Sequence, residues 1–282
     1  MNLQNIIPKN GPAKEEVQKY IKKYVNEIIV IKCGGSVLLN PNLFNQFIED
    51  ISVINKLGLN VIVVHGGGKI IKKKLDEQNI ESNFIDGLRV TDAKTIKIVE
   101  ETLTELNSEI IKRLGLKKCK AQPITTKKNN IIITEPEKEE LFFVGKPTQI
   151  EKKNVIQILK SKEVPVIIPM GIGKDNKVYN INADVAAGAI AKKLSSRRLL
   201  LMTDVEGVLD NNKKLVAEIN SDFANKMLKD GTITGGMIPK INTCIDAVKN
   251  GVTGVAIVDG RKSHSILFEL LADRGAGTLI RK

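Results

Sequence analysis

The sequence predicts an α/β fold built on a mainly parallel sheet, and three observations carry that prediction. Strand-like runs alternate with helical patterns through most of the 282 residues, the order expected of βαβ units. Several of the runs, such as IIVIK at 28–32 and VIVV at 61–64, are apolar without alternation, which marks strands covered on both faces. A composition of 42% hydrophobic and 27% charged residues is that of an ordinary globular chain able to fill a large core. No internal repeat or linker interrupts the pattern. One continuous sheet should therefore serve the whole chain, with a change of role near 170–180.

Residues 13–25, AKEEVQKYIKKYV, place Val17, Tyr20, Ile21, Tyr24 and Val25 on one side of a helix and lysines and glutamates on the other. Such a helix is expected to pack on the body or on a neighbouring subunit rather than on a membrane. The strand at 28–32 ends on Lys32, and Gly34, Gly35 and Ser36 follow at once; VIVVH then runs into Gly66, Gly67, Gly68 and Lys69. Glycine lets backbone N–H groups converge on an anion, because no β-carbon blocks the approach and positive φ is accessible. A helix after each turn would add its N-terminal dipole. Neither turn has the spacing of a P-loop or of a dinucleotide fingerprint, but two in one half of the chain point to an anion held between them.

Residues 92–114 repeat Ile96, Val99, Leu103, Leu106, Ile110 and Leu114 at three- and four-residue steps, a long helix with Asp92 as N-cap and Gly115 as its stop. Residues 117–146 are polar and strand-like in patches, including III at 131–133, and read as a hairpin excursion. PVII at 165–168 is a further strand. In YNINADVAAGAIAKKL, 179–194, the polar residues Asn180, Asn182 and Asp184 gather at the start of an alanine-rich helix. Capping by Asn182 or Asp184 explains part of that cluster. RLLLM at 198–202 leads to Thr203, Asp204, Glu206 and Gly207, like a strand-end ligand loop. ITGGMIPK at 233–240 ends on Lys240, which opens a helix containing Ile241, Ile245, Ala247 and Val248, and GVAIV at 254–258 is the last strand.

The function classes narrow by exclusion. A formal charge of +12 invites a nucleic-acid reading, but the lysines are scattered and aromatics are only 4%, without the basic–aromatic interleaving of a base-stacking surface. No apolar stretch reaches the roughly 18 residues of a membrane span, and the N-terminus, MNLQNIIPKNGPAKEEV, lacks the apolar core of a secretion signal. Cys33, Cys119 and Cys244 are odd in number, lack metal-ligand spacing and are expected to be reduced. The two histidines, His65 and His264, form no acid–base pair in sequence.

Taken in order, IIVIKCGGS, VIVVHGGGK, GLRVTD, YNINADVAA, LLMTDVEGVL, ITGGMIPKI and HSILFELLADRGAGTLI resemble the amino-acid kinase family, and within it the arginine-sensitive branch that phosphorylates N-acetylglutamate. The match runs from Lys32 to Ile280. It implies an open three-layer α/β/α sandwich around a mainly parallel sheet of about eight strands. Residues 1–27 would be an N-terminal helix for assembly and regulation, 28–178 an N-lobe for acetylglutamate and dimerisation, and 179–282 a C-lobe for ATP and arginine. The implied reaction is transfer of the γ-phosphoryl group of ATP, carried with Mg²⁺, to the side-chain carboxylate of N-acetyl-L-glutamate, the second step of arginine biosynthesis.

By the same resemblance, Lys32 and Lys240 stabilise the phosphoryl group in flight and Asp184 holds the two lysines. Gly34, Gly35 and Gly66 meet phosphate; Gly67, Gly68, Arg89 and Asn180 bind the acyl substrate. Thr203, Asp204, Val205, Glu206, Gly207 and Val208 form one nucleotide loop, and Thr232, Ile233 and Thr234 the other. Tyr20, His264, Glu269, Gly275 and Gly277 match the arginine-effector equipment. The branch implies a homodimer assembled into a hexamer through N-terminal helices, with the signalling protein PII as a partner in some members, in the cytoplasm or a plastid stroma. No metal ligand of the chain's own, no nucleic acid and no membrane are expected. Three departures stand out: ITTKKNN at 124–130, Phe142 where glycine is usual, and Lys69 where many relatives have proline and where a solvent-facing side chain is expected.

Overall fold

The computed structural model describes residues 3 and 6–282; residues 1, 2, 4 and 5 of the expected N-terminal segment lie outside it. The chain runs through α1 (Lys14–Ile21), β1 (Ile28–Cys33), α2 (Gly35–Leu39), α3 (Pro41–Lys56), β2 (Asn60–His65), α4 (Gly68–Glu77), β3 (Phe84–Ile85), β4 (Leu88–Arg89) and α5 (Thr95–Leu116). There follow β5 (Ala121–Ile124), β6 (Ile132–Pro136), β7 (Gly145–Ile150), α6 (Lys152–Lys160), β8 (Val164–Ile167), β9 (Met170–Gly173), β10 (Val178–Asn180) and α7 (Ala183–Lys193). The rest comprises β11 (Arg198–Thr203), β12 (Glu218–Asn220), α8 (Ser221–Lys229), α9 (Met237–Lys249), β13 (Val255–Asp259), α10 (Ser265–Leu271) and β14 (Gly277–Arg281).

The expected architecture is borne out. An eight-stranded sheet has the order β12-β14-β13-β11-β1-β2-β8-β5, parallel throughout except between β13 and β14. Pleating sends alternate residues to opposite faces. Val30, Ile62, Val64, Leu199 and Leu201 enter a core shared with α6, α7, α8 and α9, while Ile29, Ile31, Val61, Val63 and Leu200 enter one shared with α1, α3 and α10. These are the three layers. β1 lies between β2 and β11, so the sheet passes without a break from the first half of the chain to the second.

Local chemistry sets the helix ends. Asn40 accepts from the N–H groups of Asn42 and Leu43 at 3.0 and 3.2 Å with Pro41 as the first helical residue of α3, a cap and a pre-set φ together. Asp92, expected as the N-cap of α5, lies two residues before the N-cap position, Lys94, and its side chain accepts from Lys94 N–H at 3.0 Å and Thr95 N–H at 2.7 Å from there. Gly115, however, does not stop that helix. It continues to Leu116, and Lys118 takes the left-handed conformation (φ 59°). Cys119 N–H then bonds to Leu114 O and Lys118 N–H to Gly115 O, a Schellman closure in which lysine bears the conformation glycine usually takes.

Residues 131–133, read as part of a hairpin excursion, lead into β6, which pairs antiparallel with β7 in a separate four-stranded sheet, β10-β9-β6-β7. α1 packs on α10 of the same chain, burying Val17 completely. No described helix is long and apolar enough to cross a membrane.

Candidate active site

Strand parity aims Lys32. Val30 faces the α7 side of the sheet, so Lys32, two residues on, leaves the end of β1 on that side. α7 begins directly opposite. Its cap is Asn182, whose Oδ1 accepts from Asp184 N–H at 2.9 Å and Val185 N–H at 3.3 Å. The Asp184 carboxylate therefore sits at the positive end of the helix. α9 comes close enough to α7 that a β-carbon on Gly188 would lie 2.9 Å from Thr243 Cγ2, and this approach brings Lys240, in the first turn of α9, to the same carboxylate. Lys32 Nζ lies 2.9 Å from Asp184 Oδ1, and Lys240 Nζ donates to Oδ2 at 2.5 Å. Burial alone would raise the aspartate's pKa. The two ammonium charges outweigh it and hold the carboxyl at about 2. With side chains only 12, 12 and 15% exposed, the trio is shielded from the solvent that weakens surface pairs.

Lys32 and Asp184 line a cleft of about 220 Å³ whose wall also includes Gly34, Gly67, Arg89, Asn180 and Asn182, and Lys240 stands behind it, bonded to Asp184. The two glycine turns stand against each other: a β-carbon on Gly35 would lie 3.5 Å from Lys69 N and 3.7 Å from Gly68 N. One on Gly66 would lie 3.5 Å from Ala183 Cβ, and one on Gly67 3.0 Å from Leu103. Only at Gly67 would a β-carbon be crowded, and its backbone (φ −155°, ψ 14°) also lies outside the usual helical and extended regions; at Gly35 and Gly66 the contacts would be ordinary and at Gly68 there is open space. Positive φ is not what these turns use, since none of the five glycines has φ above zero. A helix follows each turn, as anticipated, and the starts of α4 and α7 meet at the cleft.

Arg89 is largely buried and donates to Gly68 O at 3.0 Å and to the Ser82 hydroxyl, with its guanidinium 4.7 Å from the Phe84 ring centre. Burial lowers its pKa, yet a guanidinium stays charged, and no carboxylate pairs with it among the described residues. Thr91 ties it to the next polar residue, donating to Arg89 O at 2.7 Å and accepting from Asn180 Nδ2 at 3.2 Å. A charged fork and an amide thus share one wall of the cleft.

The two expected nucleotide loops also adjoin. Thr232 Oγ1 donates to Asn211 Oδ1 at 3.1 Å, linking the loop after β11 to the one before α9. Asp204, Val205 and Glu206 are exposed, while Val208 and Ile233 point into the core, leaving only backbone to a ligand. Gly207 (φ +146°) is forced by packing, because a β-carbon would meet Thr278 Oγ1 at 2.5 Å, and Thr278 accepts Val208 N–H at 2.8 Å.

Of the residues matched to an effector, Glu269 accepts Ala276 N–H at 2.9 Å beside Gly275 and Gly277. Tyr20 O–H donates to Asp273 at 2.6 Å. The His264 ring is instead buried against Asp50, with Nδ1 2.6 Å from its carboxylate. Lys69 is not simply solvated, as expected, but reaches Ser36 and Asp204. Sequence reasoning gave no role to Thr91, Phe84 or Thr278. Thr91 lay inside a quoted motif, whereas nothing in the local pattern marked the other two.

The chain is 58% identical over 280 residues to the acetylglutamate kinase of Pelagibacter ubique, covering 99% of this chain and 97% of the relative. It is 44% identical to that of Rhodospirillum rubrum, covering 94% and 90%. Among solved structures, N-acetylglutamate synthase from Neisseria gonorrhoeae, complexed with coenzyme A and N-acetyl-glutamate, superposes with a TM-score of 0.87 at 20% identity over 95% of this chain; the chain spans 62% of that protein's length. Carbamate kinase from Giardia lamblia bound to AMP-PNP superposes with a TM-score of 0.67 at 18% identity, over 91% of this chain and 98% of the other. The family model described as the amino acid kinase family matches residues 27–259, and the chain belongs to that family.

Proposed function

We propose that this protein transfers the γ-phosphoryl group of ATP to the side-chain carboxylate of N-acetyl-L-glutamate, giving N-acetyl-L-glutamyl 5-phosphate and ADP, the second step of arginine biosynthesis. The observation that carries the reading is the Lys32–Asp184–Lys240 constellation at a cleft with Arg89 and Asn180 on its wall. The names of the similar enzymes, acetylglutamate kinases, support the choice of acceptor.

A carboxylate is already ionised near neutral pH, so the nucleophile needs no general base. One of its oxygens attacks the γ-phosphorus, the bond to the β-phosphate oxygen breaks, and ADP leaves with that electron pair. Lys32 and Lys240 face the equatorial oxygens of the moving group from opposite halves of the chain, and N–H groups of Gly34, Gly35, Gly67 and Gly68 supply further donors; Gly66 N–H is already bonded to Cys33 O at 2.9 Å. Asp184, ionised across the working pH range, fixes both lysines. Arg89 receives the α-carboxylate of the acceptor as a fork, and Asn180 bonds to the same molecule. The residues Thr203 to Val208 and Thr232 to Thr234 line the nucleotide, whose phosphates carry Mg²⁺ and neutralise charge with it. The described residues contain no group of three His, Cys, Asp or Glu side chains that could hold a metal themselves.

The same proposal places arginine as a feedback inhibitor near Tyr20, His264, Glu269, Gly275 and Gly277, a homodimer built into a hexamer, PII as an optional partner, and the cytoplasm as the compartment. ADP formation with and without N-acetylglutamate, repeated with arginine, tests the reaction and its regulation. Lys240→Ala should lower kcat by about 10²–10³-fold with a much smaller change in the KM for ATP, because its charge is needed most in the transition state. The opposite split would contradict its role.

A further inference from the structure

The glycine turns meet at a residue to which the phosphoryl-transfer scheme gives no role. Lys69, second residue of α4, donates from Nζ to Ser36 Oγ at 2.5 Å and lies 3.1 Å from Asp204 Oδ2. Ser36 Oγ donates to the same Asp204 oxygen at 2.5 Å. Three segments distant in sequence are joined here: the turn after β1, the start of α4 and the loop after β11. The backbone beneath is equally close. A β-carbon on Gly34 would lie 3.8 Å from Lys32 Nζ, and one on Gly35 would lie 3.5 Å from Lys69 N. Lys32 and Lys69 therefore flank one pair of glycines, the first on the inner side toward Asp184 and the second on the outer side toward the nucleotide loop.

The contact has the properties of a charge in reserve. Lys69 and Asp204 are 59% and 47% exposed, so their attraction is screened and contributes little to stability. A polyphosphate offers an ammonium more negative charge than one carboxylate does, and it would enter from the side on which Asp204 stands. A compact ammonium on a flexible stem suits that exchange, and Ser36, bonded to both partners, keeps the stem directed at the glycine pair.

We propose that Lys69 is a third phosphate-binding cation of this enzyme, exchanging Asp204 for the terminal phosphates of the bound nucleoside di- or triphosphate. This rests on the nucleotide-binding half of the reading above and is independent of the acceptor. The test uses the full chain with Mg²⁺ and no acceptor, and measures calorimetric binding of ATP, ADP and AMP to the wild type, Lys69→Met and Lys69→Arg, followed by steady-state kinetics.

Lys69→Met is expected to weaken ATP and ADP about five- to tenfold, the loss of one charge-assisted contact, while AMP stays within twofold. Lys69→Arg should recover most of the loss, and the KM for ATP should rise without the KM for the acceptor. ATP binding by Lys69→Met within twofold of wild type overturns the proposal, as does an equal loss for all three nucleotides. Should Lys69→Met fail to fold, Lys69→Gln replaces it with the same criteria. Normal acceptor turnover with an indifferent Lys69→Met defeats this inference and spares the function; phosphate-selective weakening in a protein that does not phosphorylate N-acetylglutamate does the reverse.

Discussion

Phe142 holds φ 55° and ψ −106°, a conformation that a β-carbon makes costly. It is kept there by its neighbours: Phe143 N–H bonds to Thr91 O at 2.9 Å and Asn180 N–H to Phe143 O at 2.8 Å, so the turn is tied to the wall of the cleft. The ring itself is 57% exposed and adds little burial. Phe142→Gly should raise the melting midpoint by about 2 °C through relief of roughly 1 kcal/mol of strain, whereas Phe142→Ala, which keeps the strain, should not. Equal midpoints for the two variants in thermal unfolding would count against strain at this site. The sequence marked position 142 as unusual for the family but could not reveal its dihedral angles. Lys32, Asp184 and Lys240 stood out at a strand end and two helix starts, but only the family resemblance joined them into one constellation. The partner of Lys69 was not, since Asp204 stands 135 residues away in sequence and only the strand order brings the two together.

Individual elements were legible where periodicity was strong. α5 was visible from its apolar repeat and from Asp92 just before its start, but its end was not, because the closure on Lys118 depends on a left-handed residue that sequence does not single out. The junction of α10 with α3 was likewise hidden. His264 and Asp50, 214 residues apart, are both buried there. The hydrogen bond to Asp50 raises the histidine's pKa above 6.5 against the effect of burial, with a further small push from Glu49. Burial raises Asp50 to about 6. A histidine whose pKa is raised by folding contributes stability in full below its unfolded value of about 6.5 and loses it as pH rises through the folded value. The wild-type melting midpoint should therefore fall as pH rises above 6.5. Asp50→Asn should start lower at pH 6.5 and fall less; parallel curves for the two proteins would refute the assignment.

At the scale of the molecule, alternating strands and helices were enough to foresee a parallel sheet, but not its order or the second sheet that claims β6. An apolar run states that a strand is buried and is silent about its partner. That order has a mechanical result: β1 sits between β2 and β11, so neither half has a complete sheet of its own. Denaturant unfolding followed by far-UV circular dichroism and by tyrosine emission from Tyr20, Tyr24 and Tyr179 should give one coincident transition. Two separated transitions would mean that the halves fold independently. The joint between the halves also carries a balance of charge. Two ammonium groups with one carboxylate between them leave a single excess positive charge, which matches the single negative charge of a loosely bonded PO₃ fragment. In the proposed reaction, removing Asp184 would set two positive charges against the doubly charged acyl phosphate, so the carboxylate that aligns the lysines would also ease the departure of the finished product.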